Sequence, residues 1–391
     1  MVDLTMLQEI REQPEVLSRL LRRCQELVRT TAPPGGHLHF TGSGDTYFAA
    51  LVTEWLARLV WGREVRAWRS MDLRWMAATL APADRVVCGS VSGRTRRTLE
   101  AARLARAKGA LVIGVTDDPS SPLAREVDEV LVLGTSAPDS LLREVYAGYE
   151  HLVPQTKTYT ALLLAELLLA APDAAAARTL DAIPQAVAEA LGKIAGPVEQ
   201  TAGRCFEGRD EVVILGSGPF LPTAMYGAAK MLEYAIPALA QCLEEYNHLQ
   251  VFVAGEKTLV VHLAPDLMSA SRVAELTGAW DRLGVRSLVV GPEHVGIASP
   301  GASPAFPGEG TERLVVPSGS SLEMPFILAL VLQMLALYGA RRLGRRVNEW
   351  LGGRRSDLIQ EISLATIRAS LLWEGSPRDE APRGALRSRG A

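Results

Sequence analysis

Two apolar runs in this chain enter the same kind of glycine turn. His39-Phe40-Thr41 leads into Gly42-Ser43-Gly44-Asp45-Thr46, and Glu211-Val212-Val213-Ile214-Leu215 leads into Gly216-Ser217-Gly218-Pro219. Apolar residues at helical spacing follow each turn, Tyr47, Leu51, Trp55 and Leu56 in the first case and Met225 to Tyr234 in the second. A strand, a tight turn and a helix satisfy both halves of the pattern. Gly42 and Gly216 are 174 positions apart, and Asp84 and Glu256 are 172 apart, so two successive landmarks keep nearly one offset. Two copies of one α/β unit explain that better than one large sheet.

Further strand candidates in the first copy are Arg85 to Cys88, Ala110 to Gly114 and Glu129 to Leu133, with helical patterns such as Thr98 to Lys108 between them. The second copy offers Thr258 to His262, Ser287 to Val290 and Arg313 to Val316. Buried runs alternating with amphipathic helices predict a parallel sheet covered on both faces. The expected fold is therefore α/β, with two tandem doubly wound parallel-sheet domains and flanking helices. Ala-rich 173–185 and amphipathic 186–204 read as a helical connector. The expected division is 1–200, 201–372 and a mobile tail at 373–391, where Arg, Gly, Pro and Ser replace large apolar residues.

Composition narrows the partners. With 48% hydrophobic and 22% charged residues the chain is neither disordered nor fibrous, and its net charge of −3 provides no positive field for nucleic acid or anionic membrane. Cys24, Cys88, Cys205 and Cys242 lie far apart without metal-ligand spacing, so neither a metal site nor a disulfide framework is expected. The apolar stretches 162–171 and 327–340 fall short of the roughly 20 residues that span a bilayer. No secretion signal is visible at Met1-Val2-Asp3-Leu4-Thr5, and a reducing cytoplasm is the expected location.

Chemistry concentrates after the strand Arg85 to Cys88. Ser90-Val91-Ser92-Gly93-Arg94-Thr95 sets hydroxyls and a glycine at a helix amino terminus, an arrangement that suits a phosphate and equally describes a Ser/Thr-rich helix cap. Gly42-Ser43-Gly44 lacks the third glycine and the acidic partner of a dinucleotide site, so no nicotinamide cofactor is expected. Loops at the carboxyl ends of neighbouring parallel strands converge, which brings Ser43, Gly44, Asp45 and Thr46 toward the ligand of the 90–95 loop.

The succession Gly-Ser-Gly-Asp-Thr-Tyr at 42–47, Ser-Val-Ser-Gly-Arg-Thr at 90–95 and Gln-Thr-Lys-Thr-Tyr-Thr at 155–160 resembles the sugar isomerase (SIS) domain family, and 6–15 resembles the entry segment of the isomerase half of glucosamine-6-phosphate synthase. The resemblance extends to about Leu351 and implies two flavodoxin-like SIS domains. It implies that Ser90, Val91, Ser92, Gly93 and Thr95 hold a sugar phosphate, with Thr156 nearby and no cofactor. In the second copy Leu263-Ala264-Pro265-Asp266 replaces the hydroxyl loop, so one phosphate site per chain is expected.

Lys230 and Glu233 are three residues apart on one helical face, which by itself describes an ordinary surface ion pair. The resemblance implies instead that Glu233 is the proton-transferring carboxylate and Lys230 its companion. His248, in Glu244-Glu245-Tyr246-Asn247-His248-Leu249-Gln250, falls where the family has a ring-opening histidine that reaches a neighbouring subunit, so a homodimer with a shared site is implied. Asn247-His248 is closer to the bifunctional phosphoglucose/phosphomannose isomerases than to the synthase; Arg354 or Arg355 could supply the charge of the synthase's carboxyl-terminal lysine, but a surface loop describes them better and neither is counted in the site. The synthase's glutaminase half, with its amino-terminal cysteine, is not expected. The implied activity is aldose–ketose isomerisation of a hexose or amino-hexose phosphate. Deamination or deglycation of an amino-sugar or fructosamine phosphate, and phosphosugar sensing without turnover, stay open.

Overall fold

A computed structural model of the protein describes residues 2–24, 36–135, 154–296, 310–345 and 366–367. An amino-terminal helix, α1 (Val2–Cys24), precedes the first sheet. That sheet contains β1 (Leu38–Gly42), β2 (Val65–Arg69), β3 (Arg85–Gly89), β4 (Leu111–Thr116) and β5 (Glu129–Val132), all parallel, in the order β2-β1-β3-β4-β5. The intervening helices are α2 (Asp45–Trp61), α3 (Leu73–Met76), α4 (Arg96–Ala107) and α5 (Pro122–Glu126). Three connecting helices follow: α6 (Lys157–Ala170), α7 (Ala174–Arg178) and α8 (Ile183–Cys205), the last begun by Ile183 and Pro184. Residue 200 lies inside α8, so the expected division at that position falls within a helix.

The second sheet has β6 (Glu211–Leu215), β7 (Ala238–Gln241), β8 (Thr258–Leu263), β9 (Arg286–Pro292) and β10 (Thr311–Val316), again parallel, in the order β10-β9-β8-β6-β7. With β6 matched to β1, this is the strand order of the first sheet. Its helices are α9 (Phe220–Glu233), α10 (Leu243–His248), α11 (Leu267–Asp281) and α12 (Met324–Arg342). The sequence pattern located eight of these ten strands, the edge strands β5 and β10 among them, and missed β2 and β7. Arginines interrupt β2, and β7 is short with little β-branched character.

One core joins the two units, since buried residues of both sheets and of α1, α6, α8 and α12 form a single cluster. α12 is apolar and long enough to cross a membrane, but 89% of its apolar window is buried inside the protein, which makes it a core helix. Helices α2 and α9 pack against each other, one from each unit, and the candidate site lies on that seam. The expected tail at 373–391, together with Arg354 and Arg355, lies outside the described residues. Thr366 and Ile367 are described, and both are helical.

Candidate functional site

The order β2-β1-β3 puts a topological switch between β1 and β3, because the chain leaves β1 toward one side and returns on the other. Ligands of doubly wound sheets bind at such a crevice. The loops there are Gly42–Thr46 and Ser90–Thr95, and Gly89, at the end of β3 just before the second, lies close to the first: a Cβ on it would be 3.3 Å from the Cβ of Thr46. Thr46 braces the first loop, its Oγ1 donating to the Ser43 carbonyl at 2.9 Å and accepting from the Ser43 N–H at 2.7 Å.

The second loop is equally fixed. The Ser90 hydroxyl donates to Thr95 Oγ1 at 3.0 Å, and the Ser92 hydroxyl accepts from the Arg94 N–H at 3.3 Å. The Val91 carbonyl accepts from the Asp117 N–H and the Thr116 hydroxyl at the end of β4. Gly93 has φ +60°, and any Cβ there would sit 2.1 Å from Ser121 Oγ, so both conformation and space demand glycine. Arg94, at the loop's outer rim, is held by the Ser92 carbonyl and by Asp118. Hydrogen bonds from Ser120 first, and from Arg94, pull the Asp118 carboxyl down to about 2.

The helix after this loop differs from its counterpart in the second unit. No side chain caps α4; the Thr95 carbonyl accepts from the Thr98 N–H, which leaves those of Arg96 and Arg97 without a capping side chain. At the matching place in the second unit, Asp266 caps α11 by accepting from the Ser269 N–H at 2.8 Å. A carboxylate already occupies the position an anion would take.

Across the seam, Lys230 of α9 is completely buried. Its Nζ donates to Asp45 Oδ2 at 2.8 Å and to Glu233 Oε1 at 2.7 Å. A buried ammonium is costly without counter-charges, by on the order of several kcal/mol. Burial works against the Lys230 charge, yet Asp45 and Glu233 outweigh it and hold the ammonium more firmly than in an ordinary lysine. Glu233 is pushed up to about 7, mainly by burial; Lys230 opposes that rise and Asp45 adds to it. Although 39% of the Glu233 side chain is exposed, its Oε2 is shielded and has no hydrogen-bond partner. The pair that resembled a surface i,i+3 bridge is thus a buried three-membered cluster, and Asp45 of the ligand loop belongs to it.

Tyr226, one turn before Lys230, was not singled out by the sequence. The Lys230 ammonium lies 5.1 Å from the centroid of its ring, and that ring stacks on Tyr159 at 3.6 Å. A buried chain of hydrogen bonds fixes it: Thr160 Oγ1 donates to Gln13, Gln13 to Gln333, Gln333 to the Tyr226 hydroxyl, and that hydroxyl to the Gln155 carbonyl. The visible signal was Gln333, the lone amide in an otherwise apolar helix. Thr156, expected beside the ligand, is buried and donates its hydroxyl to Glu9 at 3.0 Å.

His248 ends α10 and is exposed. Among the described residues no hydrogen bond or ion pair joins it to Lys230, Glu233 or Asp45. Its helix is anchored from behind, with Tyr246 edge-on to Trp280 at 4.9 Å and Trp280 Nε1 donating to Asn247 Oδ1 at 3.4 Å. A further group missed in the sequence is Glu166 of α6, 1% exposed under the crevice floor, where a Cβ on Gly89 would meet its Oε1 at 3.5 Å. Burial raises its carboxyl well above the ordinary glutamate range, against a weaker opposing effect of the Thr53 hydroxyl.

Comparison with known proteins agrees with this fold. Residues 35–169 match the SIS domain. The chain is 31% identical over 374 residues to glutamine–fructose-6-phosphate aminotransferase (isomerizing) of Thermus thermophilus, covering 88% of this chain and 57% of that protein. It spans a little over half the length of such relatives. Its fold is similar to the C-terminal domain of glucosamine-fructose-6-phosphate aminotransferase from Francisella tularensis, with TM-score 0.71, 19% identity and coverage of 88% of this chain and 97% of that one. Tagatose-6-phosphate ketose/aldose isomerase from Escherichia coli matches with TM-score 0.68 and 18% identity, over 87% and 93% of the two chains. Residues 35–169 thus form a SIS domain, and the second α/β unit repeats its strand order.

Proposed function

We propose that this protein is a cytoplasmic phosphosugar isomerase that moves a proton between C1 and C2 of a hexose or amino-hexose phosphate. The observation that carries the reading is the buried Asp45–Lys230–Glu233 cluster beside two hydroxyl-bearing loops at the switch point. Aldose–ketose isomerisation needs an anchored open-chain sugar, a base for the carbon-bound proton and a stabiliser for the enediolate. Ser90, Ser92 and Thr95, with the backbone of Val91 and Gly93 and the uncapped start of α4, hold the phosphate, assisted by Ser43, Gly44 and Thr46. Anchoring the far end of the sugar fixes its reacting carbons against Glu233. Glu233 takes the proton from the hydroxyl-bearing carbon next to the carbonyl, and the electron pair moves to the carbonyl oxygen; a proton then passes from the neighbouring hydroxyl to that oxygen, and as the hydroxyl oxygen becomes the new carbonyl Glu233 returns its proton to the former carbonyl carbon. Lys230 supports the negative charge that develops.

His248 opens the ring of the sugar bound to a partner subunit. Its exposure supports sharing between two copies, as do the neighbouring exposed side chains of Leu249, Phe252 and Val253. Mixing Glu233-deficient with His248-deficient chains should then restore activity.

A second reading has its own support. Two carboxylates share one ammonium, and Glu233 Oε2 has no partner, so the cluster suits a substrate carrying a cationic amine. Deamination or deglycation of an amino-sugar or fructosamine phosphate would use the same base. One panel of hexose and amino-hexose phosphates, assayed for ketose–aldose conversion and for ammonia release, separates the two. Saturable binding without turnover on any member would show a sensor instead.

A further inference from the structure

Asp45 sits in the first turn of α2, next to Thr46 of the ligand loop, yet its carboxylate is 2.8 Å from an ammonium on the other unit. The positive end of the α2 dipole favours an anion there independently of Lys230. Glu233 occupies the opposite situation, in the last turn of α9, where the negative end of the helix dipole disfavours its charge. One ammonium therefore serves two unlike carboxylates. Were Asp45 neutral, nothing would hold Lys230 back from Glu233, and an ammonium fully committed to that carboxylate would leave it a poorer proton acceptor.

We propose that Asp45 is a positioning residue: by taking a share of the Lys230 ammonium it keeps one face of Glu233 available to accept a proton, and so ties the ligand loop of the first unit to the base of the second. The inference rests on the reading of Glu233 as the base, although the contact itself does not. The charged and titratable groups around the cluster are Asp45 from α2, Lys230, Glu233 and Tyr226 from α9, and Tyr159 from α6. Arg345, just past α12, donates to the Ala235 carbonyl two residues beyond Glu233. Asp45 is the group among these that both shares Lys230 with Glu233 and opposes the Glu233 charge.

The test is a carbon-detected NMR titration of the Glu233 carboxyl in the full chain, its resonance identified by its loss in Glu233→Gln. In Asp45→Asn the Glu233 midpoint should move to lower pH by about one unit, a tenfold gain in acidity. The acid limb of kcat/KM should move with it, and kcat should fall several-fold while KM for the sugar phosphate changes little. Asp45→Ser, which suits a helix amino terminus, should behave alike and serves if the amide variant folds poorly. An unmoved Glu233 midpoint in the folded variants, or a raised KM with kcat and pH profile intact, would overturn the proposal and make Asp45 a substrate ligand. Because the midpoint is read on the carboxyl itself, it remains decisive even if Glu233→Gln proves that Glu233 is not the base.

Discussion

The Lys230 ammonium and the Asp45 carboxylate, 185 positions apart in the chain, meet at 2.8 Å across the seam between the two units. Lys230 has no exposure, whereas Asp45 keeps 15% of its side chain open, so the contact closes the inner side of the crevice and leaves its mouth polar. Removing the cation strands two carboxylates together. Lys230→Met should cost about 2–3 kcal/mol of stability near neutral pH, the lower range for breaking a buried pair because both carboxylates retain some solvent. Urea unfolding measures this, and the loss should shrink in acid as the carboxylates take up protons.

The phosphate loop makes a sharper steric demand. Gly93→Ala places a methyl group against Ser121 and forces alanine to φ +60°, so the 90–95 loop must move. Sugar-phosphate affinity, followed by calorimetry, should fall at least about tenfold while the circular dichroism of the folded chain is retained. Binding undiminished in this variant would argue that the phosphate lies elsewhere.

Glu166 predicts a pH dependence of stability. Its carboxyl is raised in the folded state from the ordinary 4.5, so its contribution is complete below that value and is lost as pH rises toward the folded value. Glu166→Gln keeps the shape and removes the ionisation. The variant should match the wild type at pH 4 to 5 and exceed it progressively at neutral and alkaline pH, as thermal unfolding across the range would show.

Much of this architecture was legible in the sequence because parallel strands buried on both faces leave apolar runs, and a repeated Gly-Ser-Gly turn marks where each sheet begins. The edge strands β2 and β7 were not: arginines interrupt Val65-Arg66-Ala67-Trp68-Arg69, and Ala238 to Gln241 is only four residues with little β-branched character. The loops at 42–46 and 90–95 were found by their hydroxyls and glycines, and the strand order places them side by side at the switch point. What the sequence could not reveal was pairing across the seam. Asp45 reads locally as a member of a ligand loop, and only the packing of α2 on α9 turns it toward Lys230. Tyr226 and Glu166 were hidden for the same reason: a polar group buried in an apolar helix gains its meaning from the opposite wall.

The central claim is that Glu233 moves the proton. Wild-type kcat/KM on the converted sugar phosphate should fall as pH drops through about 7, because the carboxylate must be ionised to act and burial with Asp45 has raised it there. The most direct measurement is turnover and sugar-phosphate binding by Glu233→Gln, side by side with the wild type. The expected result is a loss of kcat of at least about a hundredfold, with the pH 7 limb gone and binding affinity preserved within a few-fold. Near-normal turnover in the folded Gln variant, with the same pH profile, would contradict it.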